Sequence, residues 1–289
     1  MKTKPLIVIV GPTASGKTSL AIKLAKKHGG EIICADSRTV YVGMNIGTAK
    51  PSLEERDGIP HWGLDIVEPG CRYTVAEFKD YANQKILEIR KRGNVPFLVG
   101  GSGLYIDSVV FDYQFGDSVD NDFRHKLEAL SVDELQVQCQ NMGIQMPVNY
   151  KNKRHLIRAI ELKGLNKKRS MEPLDNSYIF GIKTDPQILK KRIQARAVEM
   201  LSDGIMQEAR TLGEKYGWEN EAMTGNVYPL CRQFIQGELD VKEVEEKFIV
   251  QDWRLVKRQL TWFKRNSFIT WLTLDQCEKR INSLLDSEH

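Results

Sequence analysis

Hydrophobic and polar positions along the first hundred residues follow the pattern of an α/β fold. Short apolar runs are separated by two stretches of helical periodicity, Lys17–His28 and Val75–Arg90. The first of these stretches ends at a glycine pair. The apolar runs lie at Pro5–Val10, Glu31–Ala35, Leu64–Val67 and Val95–Val99. Branched apolar runs of this length are typical of buried parallel strands. This alternation predicts a mostly parallel sheet flanked by helices.

The pattern changes after about Val110. Helical periodicity over Asn121–Asn141 and Asn152–Leu165, joined by a turn at Met146–Asn149, predicts a small all-helical insertion. Strand and helix patterns then return, with strands at Tyr178–Lys183 and Phe268–Leu274 and helices over Pro186–Leu201, Asp203–Lys215 and Val241–Lys264. We therefore predict an α/β core formed by residues 1–110 and 178–289, interrupted by a helical insertion over residues 111–177.

Composition narrows the class of protein. Of 289 residues, 41% are hydrophobic and 28% charged, which is typical of a soluble globular protein. No apolar run approaches the ~18 residues of a membrane helix, and no signal-peptide pattern is present, so a cytoplasmic protein is expected. The five cysteines are scattered without a C-x-x-C pair, which argues against both a disulfide framework and a cysteine zinc site.

A phosphate-binding motif follows the first strand. Gly11–Thr18 fits G-x-x-x-x-G-K-[ST] and opens a predicted helix. Such a loop points backbone N–H groups into one concavity, while Lys17 adds positive charge and Thr18 offers a hydroxyl to Mg²⁺. An ordinary glycine turn is the alternative, but a chance match in a chain this long has a probability of only about 1%.

Two further segments end strands at the same predicted edge of the sheet, where ligands of open α/β folds bind. Asp36 could deprotonate an incoming nucleophile, or it could instead cap its turn through an Asx-type hydrogen bond, with Ser37 doing likewise. Gly100–Gly103 offers a closely approaching backbone and the Ser102 hydroxyl, or it is a plain strand-to-helix turn. The residues alone leave both pairs of alternatives open.

Two stretches are strongly basic although the whole chain carries a formal charge of only +4. Lys151–Arg169 holds eight Lys and Arg against the single acid Glu161, and Trp253–Arg265 holds five without an acid. The second stretch interleaves its cations with Trp253, Trp262 and Phe263. Cations suit phosphates and flat side chains suit unstacked bases, so the pair favours RNA binding. The alternative is a solvated helix face with its aromatic side chains in the core.

Five segments together resemble the tRNA dimethylallyltransferases, also called tRNA isopentenyltransferases or the IPP transferase family. The segments are Gly11–Thr18 (GPTASGKT), Asp36–Pro51 (DSRTVYVGMNIGTAKP), Gly100–Ile106 (GGSGLYI), Arg154–Glu161 (RHLIRAIE) and Lys257–Phe263 (KRQLTWF). The resemblance implies a P-loop fold that binds dimethylallyl diphosphate instead of hydrolysing ATP. The family transfers the dimethylallyl group to N6 of the adenosine 3′ to the tRNA anticodon, at position 37, and releases diphosphate.

The resemblance also implies roles for single residues. Asp36 would be the general base on the amine, and Ser102, where the family usually has Thr, would contact the diphosphate. Lys17, Arg196 and Mg²⁺ would stabilise charge on the leaving group. Implied diphosphate-binding residues are Gly11, Pro12, Thr13, Ala14, Ser15, Gly16, Lys17, Thr18 and Arg196, with Thr18 as the metal ligand. Implied tRNA contacts are Asp36, Ser37, Arg38, Thr39, Ser102, Arg124, Arg154, His155, Leu156, Ile157, Arg158, Lys257 and Arg258.

Further expectations follow from the resemblance. The target base must leave its stack to reach Asp36, so a channel into the core is expected. No Cys/His finger follows Trp271, so the chain resembles the compact bacterial type and no zinc is expected. A monomer is also expected. The chain departs from the family at Val227, where glycine is usual, and at Asp252–Arg254, where Thr-Arg-Gln is common. The alternatives are an adenylate isopentenyltransferase, a P-loop small-molecule kinase, and an RNA-binding protein whose phosphate loop is only structural.

Overall fold

The computed structural model describes residues 3–115, 121–163, 169–225 and 227–287. The chain forms two compact units, a core of Met1–Val110 with Pro173–His289 and an insertion of Phe111–Glu172. The predicted insertion ended at residue 177. Residues 173–177 lie with the core because Leu174 N–H donates to Val110 C=O (2.8 Å) and Asn176 Nδ2 donates to Thr3 C=O (2.7 Å).

The core contains a parallel sheet of six strands in the order β3-β2-β4-β1-β5-β6. The strands are β1 (Leu6–Val10), β2 (Gly30–Cys34), β3 (His61–Trp62), β4 (Val95–Gly100), β5 (Ser177–Ile182) and β6 (Thr270–Leu272). The apolar run Leu64–Val67 is not a strand of this sheet, since His61 and Trp62 take the place beside β2 and Val67 forms only an isolated bridge with Tyr41.

The described residues form eleven α-helices, three of which have no counterpart among the predicted elements. The helices are α1 (Lys17–His28), α2 (Val75–Lys91), α3 (Gly103–Val110), α4 (Asn121–Ala129), α5 (Val132–Asn141), α6 (Lys153–Glu161), α7 (Pro186–Ser202), α8 (Ile205–Tyr216), α9 (Tyr228–Ile235), α10 (Val241–Phe263) and α11 (Leu274–Asp286). Helix α3 was missed because six of its eight residues are buried, which removes the polar stripe. Helices α9 and α11 were also missed, although Thr273 and Gln276 form a capping box before α11.

The sheet brings the candidate segments to one edge. In the order β2-β4-β1, the carboxyl ends of three neighbouring strands lead into Asp36, Gly100–Gly103 and the phosphate loop. Helix α1 packs over these strands, and its Leu24 is buried with Ile9 and Phe97 in one apolar cluster. Rigid strands therefore present three loops side by side.

The insertion has its own small core. Leu135, Cys139, Leu156 and Ile160 are buried together between its helices. The helix predicted over Asn121–Asn141 is divided into α4 and α5, because Ser131 caps α5 through a capping box with Glu134. Of the predicted helix Asn152–Leu165, residues 164 and 165 lie outside the described residues. No helix in the described ranges of either unit is long and apolar enough to cross a membrane.

Candidate active site

The phosphate loop opens at the N-terminus of α1. Gly16 has φ of +88°, a conformation that glycine adopts without steric cost, and Ser15 N–H donates to Pro12 C=O at 3.3 Å. The loop therefore curves around the first turn of the helix, where N–H groups and the helix dipole favour an anion. The Ser15 hydroxyl is buried without a hydrogen-bond partner in the described structure, which leaves a polar atom for a ligand.

Lys17 lies inside this loop. Its Nζ donates to Pro12 C=O at 3.3 Å. Burial lowers the pKa of Lys17 to about 8, with Arg196 acting in the same direction and Asp36 opposing it. Lys17 is therefore still mostly protonated at neutral pH, and a bound phosphate would replace the hydration that the ammonium group has lost.

Arg196 reaches the loop from α7. Its Nη1 donates to the Thr13 hydroxyl and lies 3.8 Å from Asp252 Oδ2 on α10. Its Nε is buried and has no hydrogen-bond partner among the residues that the structure describes. Since a buried donor without a partner costs free energy, this nitrogen favours an incoming anion. Asp252, one of the departures from the family pattern, thus lies beside the arginine implied to bind diphosphate.

Asp36 follows β2 and its two carboxylate oxygens differ. Oδ1 accepts the Arg38 N–H at 2.8 Å, so the Asx-type turn is present. Oδ2 accepts no hydrogen bond from any residue in the described ranges, and Asp36 lines a cavity. The two alternatives left open by the sequence are therefore compatible, because one oxygen shapes the turn while the other can accept a proton.

Ser102 lies beside Asp36. Its Oγ accepts the Ser37 N–H at 3.0 Å and lies 3.4 Å from Ser37 Oγ. This proximity depends on Gly100, where a Cβ atom would come within 2.0 Å of the Ala35 carbonyl oxygen. The glycine thus allows β4 to end against the Asp36 loop, and the hydroxyl is held by that loop.

One cavity of about 460 Å³ joins these groups. Its polar lining includes Lys17, Asp36, Ser102 and Arg196, and its apolar lining includes Ile32, Leu64 and Val99. The four residues implied to be catalytic thus face the same space. A cavity with a cationic end, a carboxylate and an apolar wall can hold an apolar group attached to a diphosphate beside a base.

Comparison with known proteins identifies the family. A family model described as IPP transferase matches residues 39–266, and one described as isopentenyl transferase matches residues 4–66. The chain belongs to the IPP transferase family. It is 38% identical to the tRNA dimethylallyltransferase of Anoxybacillus flavithermus, over 97% of this chain and 94% of that protein.

Solved structures agree with this assignment. The tRNA isopentenylpyrophosphate transferase of Bacillus halodurans is 34% identical with a TM-score of 0.76, over 99% of this chain and 96% of that one. The corresponding Staphylococcus epidermidis enzyme is 32% identical with a TM-score of 0.73, over 99% and 100%. The predicted P-loop α/β fold is confirmed.

Arg38 and Thr39, two of the residues implied to contact tRNA, have structural roles in the core of this IPP transferase. The Arg38 guanidinium donates to Glu221 C=O (2.7 Å) and to the Thr224 hydroxyl (3.1 Å), so it holds the turn at residues 221–224. Thr39 is only 7% exposed, although it lines the cavity. Both side chains therefore help to fix the surroundings of Asp36, and Arg38 is half-buried and also lines the cavity.

Helix α10 separates its cations from its aromatic side chains. Lys257 and Arg258 are exposed, and Arg258 also lines the cavity. Phe263 is completely buried, and Trp262 Nε1 donates to Asp107 Oδ2 at 2.8 Å. The prediction of a flat stacking surface is therefore wrong for Phe263, which serves the core, whereas the exposed cations remain available to an RNA backbone.

The insertion divides the implied tRNA contacts more sharply. Arg154 and His155 are exposed, but Leu156 and Ile157 are 0% and 2% exposed because they form the apolar core of the unit. The assignment of these two apolar side chains to tRNA contact is therefore corrected. They hold α6 in place and so position the polar residues on its outer face.

Arg124 and Arg158 share one buried carboxylate. Arg124 Nη1 donates to Glu161 Oε1 (2.6 Å), Arg158 Nη1 donates to Glu161 Oε2 (2.9 Å), and the Glu161 side chain is fully buried. Both cations are therefore already paired in this unit. The formal charge of the basic stretch overstates the positive charge that is free to meet a phosphate.

Sequence reasoning missed Glu208 and Tyr228. Glu208 accepts the N–H groups of three consecutive loop residues, Asn45, Ile46 and Gly47, at 2.8–2.9 Å and the Tyr228 hydroxyl at 2.8 Å. The loop so held contributes Gly47, with Thr48 and Ala49, to the cavity lining. A lone Glu in a surface helix carries no pattern that would single it out.

Proposed function

We propose that this IPP transferase moves a dimethylallyl group from dimethylallyl diphosphate to N6 of the adenosine 3′ to the tRNA anticodon and releases diphosphate. One observation carries the proposal. The cationic phosphate loop and the carboxylate of Asp36 face a single cavity that also has an apolar wall. The relatives named tRNA dimethylallyltransferase support the same reaction and not a phosphoryl transfer.

The donor would bind with its diphosphate in the loop Gly11–Thr18. Loop N–H groups, Lys17 and the unpaired Nε of Arg196 would bind the phosphate oxygens, and the apolar side chains of the lining would surround the five-carbon group. Burial of the hydrocarbon supports binding at about 25 cal/mol for each Å² removed from water. Donor recognition is therefore divided between the charged and the apolar side chains of the cavity lining.

Mg²⁺ fits this site on the chemistry of its donors. Thr18 lines the cavity, and its hydroxyl forms no hydrogen bond within the described parts of the chain. A hydroxyl together with phosphate oxygens provides the hard oxygen ligands that Mg²⁺ prefers. When bound, the ion would neutralise part of the diphosphate charge. Thr18 would hold the ion, and Lys17 and Arg196 would stabilise the remaining negative charge of the diphosphate.

The transfer requires one bond to form and one to break. The N6 amine of the flipped adenosine attacks the allylic carbon, and the carbon–oxygen bond breaks with its electron pair leaving on the diphosphate. Asp36 Oδ2 accepts the N6 proton, while Oδ1 keeps the carboxylate oriented through the Arg38 N–H. Lys17 and Arg196 stabilise the negative charge that grows on the leaving group.

The tRNA would be bound through exposed cations on each unit. Lys257 and Arg258 on α10 and Arg154 and His155 on α6 are the implied contacts that the structure leaves exposed. Ser37 and Ser102 lie at the cavity beside the base. The proposal extends to a monomer acting in the cytoplasm, where tRNA is modified.

The test is a prenylation assay with tRNA that lacks modification. The protein is incubated with Mg²⁺, labelled dimethylallyl diphosphate and either tRNA or AMP, a parallel reaction contains labelled ATP instead of the prenyl donor, and products are analysed by mass. We expect an adenosine heavier by one dimethylallyl group next to the anticodon, and its absence with Asp36→Asn. Prenylated AMP with unmodified tRNA would instead indicate the adenylate enzyme, and label transfer from ATP to a small acceptor would indicate a kinase.

A further inference from the structure

Gln259 joins two loops at the carboxyl edge of the sheet. Its Oε1 accepts the Thr13 N–H at 2.9 Å, and its Nε2 donates to Gly101 C=O at 3.2 Å. Gln259 lies on α10, far along the chain from both loops. Since it carries no charge and no acidic proton, neither diphosphate neutralisation nor base catalysis accounts for it.

The two loops carry different groups of the site. Thr13 belongs to the phosphate loop, and its hydroxyl accepts a hydrogen bond from Arg196. Gly101 directly precedes Ser102, whose hydroxyl accepts the Ser37 N–H next to Asp36. One side chain therefore links the side that holds the donor to the side that holds the base.

Helix α10 is fixed against the second loop close to Gln259. A Cβ atom at Gly103 would lie 2.2 Å from Trp262, and Trp262 Nε1 donates to Asp107, so the indole packs where glycine leaves space. A Cβ atom at Gly101 would come within 2.4 Å of Gln259 Nε2. The glycines thus let the helix approach closely enough for Gln259 to reach both backbones.

We infer that Gln259 is a positioning residue that sets the distance between the phosphate loop and the Asp36 side of the cavity. The inference rests on the proposed function. Reacting atoms must be held about 3–3.5 Å apart, and a misplacement of about 1 Å can lower a rate roughly 100-fold. Because Gln259 bonds to two backbones of the protein, its loss leaves in place the side chains proposed to bind each substrate. Loss of the link therefore slows the chemical step more than it weakens either binding step.

The test compares Gln259→Met with Gln259→Glu. Methionine has nearly the same length and forms neither hydrogen bond, whereas glutamate keeps the acceptor for Thr13 N–H and loses the donor to Gly101. Gln251→Met, two turns earlier on α10 and outside the cavity lining, is the matched control. We expect the single-turnover rate with both substrates saturating to fall about 10–100-fold for Gln259→Met and less for Gln259→Glu. The Kd values for diphosphate and tRNA should stay within about twofold of the control, and any fall in Tm should leave the variant folded at the assay temperature.

A double-mutant cycle adds a measurement that would give an additive result if the role of Gln259 were merely structural. Because Gln259 acts through the segment that holds Ser102, the rate of Gln259→Met with Ser102→Ala should lie within about threefold of the slower single variant. Full additivity, a rate for Gln259→Met equal to that of Gln251→Met, or a weaker tRNA Kd at an unchanged rate would overturn the inference. If Gln259→Met does not fold, Gln259→Glu replaces it, and a rate equal to that of Gln251→Met would then overturn the inference. A wild type that does not prenylate tRNA would refute the proposed function instead.

Discussion

The active-site cavity and the helical insertion both carry Lys and Arg, but they use them differently. In the core, contacts between residues as far apart as Thr13 and Gln259 bring charges to one cavity, where Arg196 Nε keeps an open donor. In the insertion, Arg124 and Arg158 meet the buried carboxylate of Glu161. The same residue types, Lys and Arg, therefore form a ligand site in the core and internal ion pairs in the insertion.

Removal of a cation tests this contrast most strongly. Arg196→Ala should lower kcat about 100–1000-fold, because it removes a charged donor aimed at the leaving group. Arg124→Ala should leave kcat within about twofold, since its guanidinium serves Glu161. Steady-state kinetics with dimethylallyl diphosphate and tRNA distinguish the two. Equal losses of kcat for both variants would show that the contrast is wrong.

The buried carboxylate gives the next largest effect. Glu161→Gln leaves two guanidinium groups facing a neutral amide, and we expect about 3 kcal/mol less stability for the insertion. Hydrogen exchange of the α5 and α6 amides measures this loss. Glu172→Gln, a change at an exposed residue of the same unit, is the control. Unchanged protection in Glu161→Gln would mean that the ion pairs add little.

The pH dependence of anion binding tests the lowered pKa of Lys17 in the core. Lys17 has a pKa lowered to about 8, so above pH 8 the free protein must take up a proton when it binds diphosphate. We expect affinity for inorganic diphosphate to fall up to tenfold per pH unit as pH rises above about 8, measured by calorimetry. Lys17→Arg should lack this component, because arginine stays protonated. The ligand's own titration is common to both proteins, so identical profiles would contradict the lowered pKa.

The smallest effect separates two arginines one turn apart on α6. Arg154 is exposed, and its guanidinium has no partner among the described residues, so Arg154→Ala should weaken tRNA binding a few-fold and reduce the salt slope by about 1. Arg158→Ala should act mainly on the stability of the insertion. Filter binding at several salt concentrations and thermal melting compare them. A steeper loss of tRNA affinity for Arg158→Ala would reverse the assignment.

The sequence predicted those parts of the site that lie within one short segment. The phosphate loop, the strand before Asp36 and the glycine turn before Ser102 each combine a local backbone signal with a chemical group, so their common edge followed from parallel-sheet topology. Resemblance supplied Arg196. Glu208 and Tyr228 were not predicted, and Gln259 was known only as part of the Lys257–Phe263 segment, because the roles of these residues come from hydrogen bonds to groups distant in sequence.

Burial and pairing set the other limit on prediction. Periodicity placed Leu156 and Ile157 on a helix, and the resemblance over Arg154–Glu161 implied that they contact tRNA. In the structure these two apolar side chains form the core of the insertion. The count of charges over residues 151–169 could not show that Glu161 is shared by Arg158 and Arg124. Net charge is a sum over sequence, whereas a binding surface depends on which charges remain unpaired in space.

The hydrogen bonds of Glu208 to the loop at Asn45–Gly47 affect the order in which parts of the site can form during synthesis. Synthesis proceeds from the N-terminus, and domains generally fold as they emerge. The phosphate motif lies at residues 11–18, but the hydrogen bonds from the neighbouring loop to Glu208 cannot form until residue 208 has left the ribosome, and the one from Thr13 to Gln259 forms later still. The nascent enzyme thus carries its best-known motif long before that motif belongs to a working site.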